Sequence, residues 1–176
     1  MEIKKNILIT GLPGVGKTTL IMRLCDTLKE RSVAGFYTSE VRGEGVRKGF
    51  SLVSLDGRQS VLSHVETRSS FRVGKYGVDV KGFEDFLDSI DLEGSGVGLI
   101  VIDEIGKMEC LSENFRRLIS RLLDSGKIVI ATIALKGEGF ISQIKQRPDA
   151  QLYEITTKNR DSLVFDILSR VERIHG

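Results

Sequence analysis

The stretch from Gly11 to Thr18 has the glycine, lysine and threonine spacing of a phosphate-binding loop. It reads GLPGVGKT and fits the pattern G-x-x-x-x-G-K-[ST]. Its glycines let the backbone turn N–H groups inward around phosphate oxygens. Lys17 supplies a positive charge for the β and γ phosphates, the Thr18 hydroxyl can ligate Mg²⁺, and Thr19 is placed to contact the α phosphate. The predicted nucleotide-binding residues here are Gly11, Leu12, Pro13, Gly14, Val15, Gly16, Lys17, Thr18 and Thr19.

Two adjacent acids, Asp103 and Glu104, follow an apolar run at residues 97–102. A branched run of this length predicts a buried parallel strand. A carboxylate at the mouth of a neighbouring strand is where a protein with such a loop holds its second Mg²⁺ anchor. We therefore predict that Asp103 and Thr18 form the metal site. Glu104 lies one residue further out, and we expect it to polarise a water molecule for in-line attack on the γ phosphate.

Four further residues fit either a catalytic role or an ordinary structural one. Lys107 is a candidate phosphate contact with Glu109 as its partner, although an exposed ion pair fits the same pattern. Thr132 lies at the end of the next strand, where it can sense the γ phosphate, hold the attacking water or be an ordinary strand residue. Arg147 is a candidate arginine finger from the same chain, with a solvated basic residue as the alternative. The predicted catalytic set is Lys17, Glu104 and Arg147.

The rest of the chain supplies the strands and helices that position these residues. Apolar and β-branched runs predict strands at about residues 3–10, 33–41, 97–102, 127–133 and 152–155. Apolar residues at helical spacing predict helices at about 17–30, 83–90, 112–126, 140–147 and 163–171. Strands that alternate with helices indicate an α/β fold with a mainly parallel sheet sandwiched by helices. Its ligand is expected beyond the carboxyl ends of the strands, where the phosphate loop lies.

One segment differs from this alternation. Two short β-prone runs flank Asp56-Gly57, which is a hairpin signal, and we predict a small antiparallel insert at about residues 45–66. Residues 66–82, which contain Arg68, Arg72 and Lys75, are predicted to form a polar, basic loop. We expect a single domain over residues 1–176, with this insert inside it.

The composition and net charge of the chain limit the classes of partner that we expect. Hydrophobic residues make up 40% and charged residues 28% of the 176 residues, which is ordinary for a soluble globular protein. The start of the chain runs straight into the first strand without a signal peptide, and no apolar run is long enough for a membrane span, so a cytoplasmic protein without a membrane partner is expected. The net charge of +2 does not support a dedicated nucleic-acid surface, although a local patch stays possible. Residues 157–161 read TKNRD, one position out of register with a guanine-reading motif, which predicts loose base selectivity.

Four blocks of sequence together resemble one family. They are GLPGVGKTT at residues 11–19, GFYTSEVR at 35–42, VGKYGVD at 73–79 and DEIGKME at 103–109. In this order, over nearly the whole chain, they resemble the small nucleoside-triphosphatase family of thermophilic bacteria and archaea, which also has a human cancer-related member. The blocks at 35–42 and 103–109 are far more specific than the phosphate loop.

The resemblance implies a RecA-like P-loop NTPase core of the class with an additional strand and a catalytic glutamate. It also implies Mg²⁺-dependent hydrolysis of ATP, GTP, CTP, UTP or other nucleoside triphosphates to the diphosphate and phosphate. Residues 11–19 are carried over as the phosphate site. The second nucleotide-contacting segment, to which we add Lys107, is carried over as Leu99, Ile100, Val101, Ile102, Asp103, Glu104, Ile105 and Gly106.

Two other functions use the same loop and metal. A kinase would move the γ phosphate to a nucleoside, a small metabolite or a polynucleotide end, with the hairpin and basic loop as its acceptor pocket. A nucleotide-gated module would use slow hydrolysis to reset its contact with a nucleic acid or a protein. The adjacent acids Asp103 and Glu104 favour hydrolysis, because a water nucleophile needs a base or a positioning group.

Overall fold

Residues 3–175 are described by a computed structural model, in which nine strands and five α-helices alternate along most of the chain. The strands are β1 (Asn6–Thr10), β2 (Val33–Gly43), β3 (Val46–Ser54), β4 (Gln59–His64), β5 (Arg72–Val73), β6 (Tyr76–Val78), β7 (Leu99–Ile105), β8 (Ile128–Ile133) and β9 (Ala150–Glu154). The helices are α1 (Lys17–Leu28), α2 (Val80–Ser89), α3 (Glu113–Asp124), α4 (Phe140–Lys145) and α5 (Leu163–His175), with a short 3₁₀ helix at Glu109–Leu111.

All nine strands belong to one sheet, in the order β5-β6-β4-β3-β2-β7-β8-β1-β9. Strands β2, β7, β8, β1 and β9 run parallel to one another, and β3, β4, β6 and β5 pair antiparallel. The predicted α/β class with a mainly parallel sheet between helices is therefore confirmed. Because β2 pairs with β7 along Val33–Phe36 and with β3 from Phe36 onwards, it joins the two halves of the sheet.

Each face of the sheet carries its own hydrophobic core. On one face α1 and α5 pack through leucine, isoleucine and valine side chains, and on the other face α2, α3 and α4 pack around a group of phenylalanines. The Phe36 ring lies at its centre, with the ring centroids of Phe83 and Phe86 at 6.1 and 5.8 Å. Successive residues of β7 alternate between the two cores, as expected for a strand covered on both sides.

The antiparallel half is larger than the insert predicted at residues 45–66. The Asp56-Gly57 turn forms between β3 and β4 as predicted, with Gly57 at φ 93°. A second turn at Glu44 and Gly45, both at positive φ, joins β2 to β3 in the manner of a two-residue hairpin. The predicted insert ends before β5 and β6. These edge strands are too short to show the alternation of apolar and polar residues that predicts a strand.

The prediction of a basic loop at residues 66–82 is wrong in its centre. Strands β5 and β6 form a short hairpin there, and the Tyr76 side chain is buried. The Arg72 guanidinium donates a hydrogen bond to the Lys75 carbonyl oxygen at 2.8 Å, and the Lys75 ammonium lies 5.5 Å from the Tyr76 ring centroid. The side chains of Arg72 and Lys75 therefore contact other residues of the β5–β6 hairpin. None of the helices in residues 3–175 combines the length and hydropathy needed to cross a membrane.

Candidate active site

The loop between β1 and α1 has the backbone shape that its glycines allow. Gly14 and Gly16 have φ of 75° and 112°, which other residues rarely adopt. A Cβ atom on Gly11 would lie 2.6 Å from the carbonyl oxygen of Ile155, so only glycine fits where the loop passes the end of β9. Helix α1 begins directly at Lys17, which leaves its first N–H groups and the positive end of its dipole facing the loop.

The Lys17 side chain folds over this loop. Its ammonium nitrogen donates hydrogen bonds to the carbonyl oxygens of Gly11 at 2.9 Å and Leu12 at 3.1 Å. These bonds hold a positive charge at the mouth formed by the loop and the start of α1. The arrangement is suited to binding phosphate oxygens, because the fixed N–H dipoles and the mobile charge converge on the same place.

Asp103 lies beside this loop and is held by two hydroxyl donors. Its side chain is buried, with one carboxylate oxygen accepting the Thr18 hydroxyl at 2.6 Å and the other accepting the Thr132 hydroxyl at 2.5 Å. Burial raises the pKa of Asp103, while these hydrogen bonds oppose that rise. Asp103 therefore joins strands β7 and β8 to the first turn of α1.

The oxygens of Thr18 and Asp103 fit a Mg²⁺ ion that also binds nucleotide phosphates. Mg²⁺ prefers hard oxygen ligands and is usually held by one or two carboxylates together with substrate phosphates and water. The hydroxyl and the carboxylate are 2.6 Å apart, close enough to share one ion. Among residues 3–175, no group of three or more His, Cys, Asp or Glu side chains is placed to hold a metal ion.

Glu104 lies next to Asp103 on the same strand, where β7 departs from regular pairing. The peptide bond between Asp103 and Glu104 is cis, and the register of β7 against β8 shifts between Ile102 and Ile105. The Glu104 side chain is half-buried, and burial together with the charge of Asp103 raises its pKa, with Lys17 opposing the rise. Because Glu104 directly follows Asp103, which contacts Thr18, it lies at the same edge of the sheet as the loop.

Comparison with known proteins identifies the chain's relatives. A family model described as NTPase matches residues 6–168. The chain belongs to this NTPase family. A nucleoside-triphosphatase THEP1 of Thermotoga sp. (strain RQ2) is 46% identical over 164 residues, covering 93% of each chain. The human cancer-related nucleoside-triphosphatase is 39% identical over 184 residues, covering 96% of this chain and 97% of the relative.

A solved structure of the family has the same architecture. The crystal structure of THEP1 from the hyperthermophile Aquifex aeolicus superposes with a TM-score of 0.83 at 38% identity, over 93% of this chain and 97% of that one. Together with the family match, this superposition confirms the predicted resemblance and the P-loop NTPase core. The edge of the sheet that carries Lys17, Thr18 and Asp103 is therefore the candidate active site of this family member.

Glu109 lies at this edge, as the sequence predicts, but its burial is not predicted. A pairing with Lys107 is the expectation from sequence, yet Lys107 is exposed whereas Glu109 is 4% exposed. The 3₁₀ helix turns Glu109 back towards Glu104. An ideal Cβ on Gly106 would lie 2.7 Å from an oxygen of Glu104 and 2.8 Å from one of Glu109, so these two oxygens lie within about 5.5 Å of each other. Burial, followed by the charge of Glu104, raises the pKa of Glu109 to about 8.

The structure corrects two groups of predicted site residues. Arg147 lies at the opposite edge of the sheet, because it precedes β9, whose first residue pairs with the first residue of β1. Its guanidinium donates to Asp149 at 2.9 and 2.6 Å and to Asp124 at 2.7 Å, so it is an ion-paired structural residue and cannot reach the γ phosphate. The interior residues of β7 are buried in the two cores, away from the nucleotide edge; they are Leu99, Ile100, Val101 and Ile102.

Proposed function

We propose that this protein hydrolyses nucleoside triphosphates, with Mg²⁺, to the diphosphate and inorganic phosphate, acting as one domain over the whole chain. The observation that carries the proposal is the hydrogen bond of 2.6 Å between the Thr18 hydroxyl and the Asp103 carboxylate, which joins the phosphate loop to the acidic strand. Relatives named nucleoside-triphosphatase, at up to 46% identity over most of the chain, support it.

In the proposed reaction, the loop at residues 11–19 binds the phosphates and Lys17 neutralises charge on the β and γ groups. Thr18 and Asp103 would hold Mg²⁺, which would offset the negative charge of the phosphate oxygens. The oxygen of a water molecule forms a bond to the γ phosphorus as the bond to the β–γ bridging oxygen breaks. Glu104 accepts the water proton, and the nucleoside diphosphate leaves with the bridging oxygen.

Loose base selectivity is also part of the proposal. In the segment at 157–161, Asn159 accepts a hydrogen bond from the Thr156 N–H at 2.7 Å and donates one to the Glu154 carbonyl at 2.9 Å. Arg160 stands where a guanine-reading motif would carry its aspartate, and the aspartate follows one residue later, as Asp161. We expect ATP, GTP, CTP and UTP all to serve as substrates.

Release of phosphate from each of these four nucleotides, measured with Mg²⁺, tests the proposal. Lys17→Ala should abolish release mainly by weakening nucleotide binding, with the exposed Lys29→Ala as its control. Glu104→Gln should keep nucleotide binding and lose about 10²–10⁴-fold in turnover, as is typical when a general base is removed. The matched control is Glu30→Gln at an exposed position. Turnover of Glu104→Gln at the wild-type rate would show that the base is wrongly assigned.

A further inference from the structure

A cavity of about 240 Å³ lies between the antiparallel half of the sheet and the nucleotide edge. It is separate from the phosphate loop, none of whose residues line it. Each of the four strands β2 to β5 contributes a lining residue, and so do the segments that follow β7 and β8. Its apolar walls are formed by Phe50, Leu62, Val73, Met108 and Ala134.

The cavity opens onto the proposed catalytic base. Glu104 is one of its lining residues, and Thr38 of β2 is another. Glu109 lines the same side, with its carboxyl close to that of Glu104 across Gly106. A molecule in this cavity therefore lies against the group that would activate the nucleophile.

The cavity is too large and too apolar to serve only an attacking water. One water needs a volume of about 10–15 Å³ on this scale and two to four polar partners. The wall made by Phe50, Leu62 and Val73 offers it none. Space of this size with apolar walls and a few polar groups at one end is typical of a site for a small organic molecule.

The polar end of the cavity favours a neutral hydroxyl compound. The two carboxyl groups there, those of Glu104 and Glu109, can each accept a hydrogen bond from a hydroxyl group. Glu109, buried without an ion-pair partner among residues 3–175, is suited to being a neutral acid. An alcohol with an apolar chain would bury that chain against the wall and donate its hydroxyl proton to Glu104.

We propose that this cavity binds a small primary alcohol with an apolar chain and presents its hydroxyl group to Glu104, so that the alcohol competes with water for the γ phosphate. The inference rests on the proposed function, because it uses the same base, metal ligands and phosphate loop. The alcohol oxygen bonds to the γ phosphorus, and the bond to the β–γ bridging oxygen breaks. The hydroxyl proton passes to Glu104, and the products are a phosphate monoester and the nucleoside diphosphate.

The test measures the products with ATP and Mg²⁺ in the presence of a homologous series from methanol to 1-hexanol. Phosphorus NMR separates the alkyl phosphate from inorganic phosphate. The ratio of ester to inorganic phosphate should rise about fourfold for each added methylene, the gain expected from burying one CH₂ group, until the chain fills the cavity. A ratio that ignores chain length, or inorganic phosphate alone at every chain length, overturns the inference.

Two substitutions test whether the alcohol binds in this cavity. Val73→Trp fills it from the wall of β5 and should lower ester formation at least tenfold while inorganic phosphate release stays within twofold. Its matched control is Val61→Trp on β4, at an exposed position outside the cavity lining, which should leave the ratio unchanged. Phe50→Ala enlarges the cavity and should move the preferred alcohol to a longer chain. Unchanged ester formation in Val73→Trp with an unchanged optimum in Phe50→Ala overturns the inference.

The two proposals fail in different ways. Without alcohol, inorganic phosphate release from the wild-type protein reports on hydrolysis alone. Phosphate release without any ester contradicts the alcohol site and leaves hydrolysis standing. Ester formation without any release of inorganic phosphate contradicts hydrolysis as the function and supports the cavity as an acceptor site.

Discussion

Replacing Glu109 with glutamine should remove a pH dependence of stability. Glu109 is buried and its carboxyl lies close to that of Glu104, so the native protein binds its proton more tightly than the unfolded chain does. The ordinary pKa of 4.5 rises to about 8. Between these two values the folded state holds the proton and the unfolded state has released it. The free energy of unfolding therefore falls as pH rises through this window, and the loss is complete above the folded-state value.

The size of the effect follows from the two pKa values. Each unit of difference corresponds to about 1.4 kcal/mol. Between pH 5 and pH 8 the Glu109 carboxyl alone should lower the free energy of unfolding by on the order of 3 kcal/mol. Glu109→Gln has the same shape and stays neutral, so it lacks this loss. The other titrating groups are common to both proteins and cancel in the difference to first order.

Urea unfolding of both proteins at pH 5, 6, 7 and 8, without nucleotide or metal, measures the effect. The free energy of unfolding of the wild type relative to that of Glu109→Gln should fall steadily across the series. Glu30→Gln, at an exposed position, is the matched control and should show no such trend. A constant difference between wild type and Glu109→Gln over this range would mean that the carboxyl is hydrated or ionised in the folded state, and the argument from burial would be refuted.

Three further substitutions test the hydrogen bonds and close contacts of the site. Thr132→Val leaves one oxygen of Asp103 without its buried donor and should weaken Mg²⁺ binding by about 1–3 kcal/mol. The Mg²⁺ concentration at the half-maximal rate of phosphate release should therefore rise by about 5- to 150-fold. Gly106→Ala places a methyl group 2.7 Å from an oxygen of Glu104 and should lower kcat while the nucleotide Kd stays within threefold, as binding and single-turnover assays would show. Arg147→Ala should leave kcat within twofold and lower the free energy of unfolding by about 1–3 kcal/mol in urea, because it breaks hydrogen bonds to two carboxylates; a large loss of turnover would return Arg147 to the site.

The elements of the fold could be predicted because their signals are local. The run at residues 6–10, the glycine spacing after it and the apolar spacing of α1 all lie within a short window. The same locality explains the failures at β5 and β6, which are two and three residues long and pair with partners elsewhere in the chain. Their register comes from the sheet that they extend.

The site was only partly predictable, because its contacts join distant residues. The expectation that ligands bind at the carboxyl ends of parallel strands correctly predicted that Asp103 lies beside the phosphate loop. The bond from Thr132 to Asp103 was not predicted, since a threonine in a strand has the same sequence signal whether it faces a carboxylate or not. The prediction for Arg147 was wrong because α4 is short. The residues after it return to the end of the sheet where β1 and β9 begin, which is opposite to the phosphate loop. The burial of Glu109 depends on the turn at Gly106, which its charge alone would have argued against.

The strand order has a consequence for how the protein is made. Strand β1 carries the phosphate loop, yet both of its neighbours, β8 and β9, lie more than a hundred residues later in the chain. During synthesis, β1 and β2 emerge early without a strand to join them, since β7 and β8 separate them in the sheet. A nascent chain that ends after β6 therefore holds its nucleotide loop on a strand with neither partner. The loop therefore gains its supporting strands only when β8 and β9 have been made, so we expect nucleotide to bind only after β9 has emerged.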